Sequence, residues 1–76
     1  MIKSILKIIS ENKPEENITT STDLFESGLL DSFDLLVLIG EFEEEFGLSI
    51  PGEYLVPEHF SSPSSIESLL KKLLKD

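Results

Sequence analysis

The sequence predicts an all-α fold, a small four-helix bundle of three main helices plus one short third helix, with a long loop between helices I and II. Three observations carry this. Three separate segments repeat apolar residues at i, i+3, i+4 and i+7, the period of a helix with one buried face. No segment of useful length alternates apolar and polar residues as a half-buried strand does. Pro14, Pro51, Gly52, Pro57 and Pro63 all fall between the periodic segments, where a chain must leave one helix and turn toward the next. With 76 residues, the chain is long enough for one domain, residues 1–76.

The first helix carries Ile2, Ile5, Leu6 and Ile9 on its stripe and ends before Asn12 and Pro14. Residues 13–31 follow as a loop rich in Thr, Ser and Gly, and a loop of that length in a compact domain needs a job. Leu24, Phe25, Leu29 and Leu30 are its expected anchors to the bundle. The second helix runs from about Ser32 to Phe46 with Leu35, Leu38, Ile39, Phe42 and Phe46 facing the core, and Gly47 supplies its C-cap. Residues 53–60 are expected to hold one short helical turn, buried through Tyr54, Leu55 and Phe60. Ser62 as N-cap with Pro63 at the first helical position starts the last helix, which buries Ile66, Leu69, Leu70 and Leu73.

Composition narrows the functions. Fifteen Asp and Glu face six Lys and Arg, a formal charge of −9 at pH 7. Such a surface repels a phosphate backbone and counts against nucleic-acid binding, but it steers basic proteins into encounter. There is no cysteine, so thiol chemistry requires a sulfur from outside the polypeptide. No apolar run reaches the ~18 residues of a membrane span, so no membrane insertion is expected. Residues 1–9 lack the small-residue cleavage site of a signal peptide.

One serine stands out. Ser32 precedes an apolar-periodic run, and its plainest reading is the N-cap of the second helix. Its neighbours suggest more. At about 100° per residue, Phe33, Leu36, Val37 and Gly40 cluster on the side of the helix away from the core stripe. A domain this small can hardly bury both faces, so an exposed apolar patch beside Ser32 is expected, and such patches mark binding surfaces. Acids border it: Asp31 and Asp34 at the head, then Glu41, Glu43, Glu44 and Glu45. Carboxylates in a last helical turn oppose the helix dipole, which makes recognition by basic partners a reason for them. The free N–H groups and positive dipole of a helix N-terminus also favour a phosphodiester on the serine hydroxyl.

With these residues in place, the chain resembles the phosphopantetheine-dependent acyl and peptidyl carrier proteins. The likeness is carried by LFESGLLDSFDLLVLIGEFEEEFGLSIP, residues 24–51, and above all by the Asp31-Ser32 pair ahead of a hydrophobic residue that opens helix II. The resemblance implies that a phosphopantetheinyl transferase moves 4′-phosphopantetheine from coenzyme A onto Ser32. The arm then carries acyl or aminoacyl groups as thioesters, loaded by an acyl- or aminoacyl-loading ligase and passed to a downstream acyltransferase. It implies a monomeric, cytoplasmic, non-catalytic subunit, with Asp31, Phe33, Leu36, Val37, Gly40, Glu41 and Glu44 as the surface that partners recognise. Within the family, GLLDSF and the Pro-x5-Pro…Phe-x2-Pro stretch of residues 51–63 look like D-alanyl carriers, which serve teichoic acid D-alanylation; the chain departs from them in having no tryptophan near Phe60.

Rival readings are an unmodified helical adaptor, which uses the same patch for protein contact alone, and a carrier for fatty-acid, polyketide or peptide synthesis. An enzyme is not expected, because Ser32 lacks a Gly-x-Ser-x-Gly context and the single histidine, His59, sits in a loop-like stretch. Asp23, Gly28 and Asp34 fall at positions 1, 6 and 12 of a calcium loop, but Phe25 at position 3 spoils the ligand set, and no metal is expected.

Overall fold

The computed structural model describes residues 1–75, with side chains described through residue 74. Three α-helices form: α1 (Ile2–Asn12), α2 (Ser32–Phe46) and α3 (Pro63–Lys75). The single short helical turn expected at residues 53–60 is instead two 3₁₀ turns, Gly52–Tyr54 and Pro57–Phe60. Pro57 explains the split: it has no N–H to continue a helix from the first turn, yet it fits the start of the second.

Each helix buries the middle of the stripe its sequence period marks, while Ile2, Phe46 and Leu73 at the stripe ends are half-buried and the face of α1 is shifted. On α1 the buried residues are Ile5, Ile8 and Ile9, while Leu6 is only half-buried; the face lies closer to Ile8 than the period suggests. On α2 Leu35, Leu38, Ile39 and Phe42 are buried, and Phe46 stacks on Phe42 with ring centroids 6.4 Å apart. Ile66, Leu69 and Leu70 complete the core from α3. Ile50 and Phe60 fill in from the segment between α2 and α3.

The long loop is a strap. Leu24 and Leu30 are buried, and Phe25 and Leu29 pack partly against the core. Leu24 donates its N–H to the Ser61 carbonyl at 2.8 Å, Leu30 donates back to the Leu24 carbonyl at 2.8 Å, and Ser64 donates to the Thr20 carbonyl at 3.1 Å. The bonds of Leu24 and Leu30 satisfy buried backbone that an irregular segment otherwise leaves unpaired. Asp23 Oδ1 accepts from the Glu26 N–H and Ser27 Oγ bonds the Asp23 carbonyl, so Asp23 builds a turn; Gly28 closes it at φ +81°, a conformation that favours glycine. The strap thus delivers the chain to the head of α2.

Helix ends are closed as their residues require. Ser62 Oγ accepts from the Ser65 N–H at 3.2 Å, capping α3, whose first residue is Pro63. Gly47 ends α2 in the left-handed region, φ 63°, with its N–H on the Glu43 carbonyl. The Glu43 carboxylate accepts from the Ile50 N–H at 2.7 Å and fixes the exit from α2. Tyr54 takes the edge of His59 at 5.5 Å and lies 5.3 Å beneath the Lys72 ammonium, which ties the 3₁₀ region to α3.

Candidate functional site

The head of α2 departs from the sequence expectation in one respect. Ser32 is not the N-cap; Asp31 is, and Ser32 is the first helical residue. Asp31 Oδ1 accepts from the Asp34 N–H at 2.9 Å, and Asp34 Oδ2 reaches back to the Asp31 N–H at 3.3 Å, a capping box made of two aspartates. A carboxylate is a stronger acceptor than a hydroxyl and gains from the positive end of the helix, so Asp31 outcompetes its neighbour for the role. The Asp31-x-x-Asp34 spacing is the sequence signal that identifies this box. Its consequence is chemical: the Ser32 hydroxyl is not spent on the cap, and the residue is exposed.

Of the first-turn amides, that of Asp34 is taken by the Asp31 carboxylate. The Asp34 N–H, ahead of the Phe33 N–H and the nearby Lys13 charge, holds the Asp31 carboxyl below the ordinary aspartate range.

Beyond Ser32 the outward face of α2 is apolar and open. Phe33 is 72% exposed, Leu36 63% and Val37 40%, with the exposed Gly40 one turn on. This is the patch expected from the second period of the helix. The acids divide by duty. Glu44 is exposed, whereas Glu41 is half-buried and accepts from Asn12 Nδ2 at 2.6 Å. Glu11, Glu41, Glu44 and Glu45, with Ile8, line an open cleft of about 340 Å³ between α1 and α2. Lys13, at the end of α1, pairs with Asp34 at 3.2 Å, a contact for which the sequence offers no periodic signal.

These residues fit a covalently attached arm: an exposed hydroxyl stands at the junction of a braced strap and a rigid helix, beside an apolar surface. Among the described residues no group of three or more His, Cys, Asp or Glu side chains is placed to hold a metal ion. No helix among them is long and apolar enough to cross a membrane.

Comparison with known proteins agrees. The family described as "Phosphopantetheine attachment site" matches residues 1–70. The chain is 29% identical to a D-alanyl carrier protein of Bacillus velezensis, covering 93% of this chain and 94% of that one. It is 39% identical to an acyl carrier protein of Buchnera aphidicola, over 92% of this chain and 90% of that one. Its fold matches a chain in the crystal structure of a Bradyrhizobium japonicum glycine:[carrier protein] ligase complexed with glycylated carrier protein, at TM-score 0.70 and 31% identity, with 90% of each chain covered. The exposed serine, the apolar helix face and the acidic surface therefore belong to a carrier of acyl or aminoacyl groups, and the chain is a member of the phosphopantetheine-attachment family.

Proposed function

We propose that Ser32 is the residue that receives the phosphopantetheine arm, and that the cargo is a small amino acid. The observation that carries the first part is the division of labour at the head of α2: Asp31 makes the cap, and the exposed Ser32 hydroxyl beside it is left free to react. In the transfer, Ser32 Oγ bonds to the phosphorus of the arm, the phosphoanhydride of coenzyme A breaks, adenosine 3′,5′-bisphosphate leaves, and the serine proton goes to solvent or to a base of the transferase. Once attached, the arm supplies a terminal thiol that holds cargo as a thioester, chemistry that a cysteine-free chain lacks.

This chain's own residues do the rest. The capping box holds Ser32 at a fixed place on the helix, and a rigid mount limits the disorder that a partner must remove on docking. Phe33, Leu36, Val37 and Gly40 offer a partner enzyme an apolar footing, and Glu44, with the outward edges of Asp31 and Glu41, steers basic surfaces toward it. The chain works as a non-catalytic subunit in the cytoplasm. A small amino acid as cargo is supported by the likeness to D-alanyl carriers and to the glycylated-carrier complex. The 39% identity to an acyl carrier protein favours a fatty acyl cargo as the second reading.

Incubation with coenzyme A and a broad-specificity transferase is expected to add one phosphopantetheine to the wild type and none to Ser32→Ala, read by intact mass. Arm found on another residue would refute the assignment. Loading of the modified protein by a D-alanine or glycine ligase, set against a fatty acyl synthetase, separates the two cargo classes.

A further inference from the structure

The charge balance around Ser32 poses a problem. A phosphodiester there adds an anion in sequence between Asp31 and Asp34, at a helix end where the Asp31 carboxylate already takes the Asp34 amide. Two carboxylates already set at the positive end of the helix weaken its pull on a third anion. A side-chain cation would add the compensation that these carboxylates remove, and the choice is narrow, because the sequence has no lysine or arginine between residues 14 and 70. Lys71 pairs with Glu67, Lys72 sits over Tyr54, and Lys3 and Lys7 lie back along α1. Among the described side chains, Lys13 is the cation found at the head of α2, its ammonium 3.2 Å from Asp34 Oδ2 and still partly open to solvent.

Resting on the assignment of Ser32 above, we propose that Lys13 is the positioning residue and counter-ion of the phosphodiester: it pairs with Asp34 before modification and shares its charge with the new phosphate afterwards. Two features make the position suitable. Lys13 follows directly on α1, with its N–H bonded to the Ile9 carbonyl at 2.9 Å, so its backbone is fixed. The adjacent Asn12 bridges the Ile8 carbonyl at 2.9 Å and Glu41 at 2.6 Å, locking the end of α1 against α2. A flexible lysine stem on a fixed base can turn between two nearby anions with no backbone movement. Its unmodified partner Asp34 is also a member of the capping box, so Lys13 couples the state of the arm to the mount that holds it.

The test compares melting temperatures of unmodified and phosphopantetheinylated full-length protein, for wild type, Lys13→Gln and Lys13→Arg, with intact mass confirming each state. Lys13→Gln is expected to change the unmodified protein little, since a partly exposed ion pair contributes weakly. Modification is expected to lower the melting temperature of Lys13→Gln by about 5 °C more than that of the wild type at low salt, and this excess is expected to shrink at high salt. Lys13→Arg, which keeps the charge, is expected to follow the wild type. If Lys13→Gln shifts both states equally, or if Lys13→Arg behaves like Lys13→Gln, the lysine serves only Asp34 and the proposal is overturned. A wild-type protein that gains no mass overturns instead the assignment of Ser32, and the proposal falls with it.

Discussion

At the scale of single residues, adjacent positions at the head of α2 differ in what they hold. Asp31 closes the helix, and Ser32, one residue on, is exposed. Ser32→Ala is therefore expected to stay within about 0.5 kcal/mol of the wild type, as a surface change away from any cap does. Asp31→Ala is expected to be the more destabilising of the two in urea denaturation at pH 7. Because the Asp34 N–H lowers the folded-state pKa of Asp31, its stabilising contribution is fully present above the ordinary aspartate pKa. The contribution fades as pH falls through the lower folded value, so the gap between the wild type and Asp31→Ala should narrow on acidification. A Ser32→Ala variant less stable than Asp31→Ala would contradict this assignment of the cap.

At the scale of the element, α2 serves two environments with opposite faces. Leu38 is fully buried among the helices, and Leu38→Ala opens a cavity expected to cost about 2–5 kcal/mol. Leu36, two residues away, points outward and is 63% exposed. Leu36→Gln is expected to leave stability within about 1 kcal/mol while slowing handling by the transferase or loading ligase. Thermal melts of both variants beside their modification rates make the comparison, and a Leu36→Gln melt as low as that of Leu38→Ala would mean that the outer face is core. The acids of the same helix divide in a similar way. Glu43 secures the Ile50 N–H and Glu41 grips Asn12, so charge neutralisation at either position perturbs packing as well as surface potential. Glu44 is the cleaner probe of steering.

At the scale of the whole molecule, charge is segregated along the chain and therefore across the fold. All six lysines lie in residues 3–13 or 71–75, on or at the ends of α1 and α3, while of the fifteen acids only Glu11, Glu67 and Asp76 lie outside residues 14–66. From residue 14 to residue 66, the strap, α2 and the 3₁₀ region thus carry acids with no lysine or arginine of their own. The cleft lined by Glu11, Glu41, Glu44 and Glu45 concentrates that charge between two packed helices. Self-repulsion of this kind weakens a compact state and is relieved by screening. The melting temperature at pH 7 is expected to rise with sodium chloride from low salt to about 0.5 M, where the Debye length falls to a few ångströms. A flat or falling curve would show that local ion pairs such as Lys13–Asp34 outweigh the net charge.

The sequence by itself determined the helical class, the three apolar stripes, the caps at Ser62 and Gly47, and the two-faced character of α2. All of these are local: a period of 3.6 residues, a proline without an N–H, or a glycine free to take positive φ acts within a turn or two of chain. It also made Ser32 conspicuous, since an apolar face that the small core cannot absorb has to open beside it. What only the tertiary structure decided are the contacts between distant segments. Leu24 meeting Ser61, Ser64 meeting Thr20, Asn12 reaching Glu41 and Lys13 reaching Asp34 leave no periodic trace, because each joins one donor to one acceptor across a fold. The cap at α2 lies between these cases: Asp31-x-x-Asp34 was present in the sequence beside a serine, another residue type common at N-caps. The folded geometry chose the carboxylate, whose charge gains more from the helix end, and left the serine hydroxyl free.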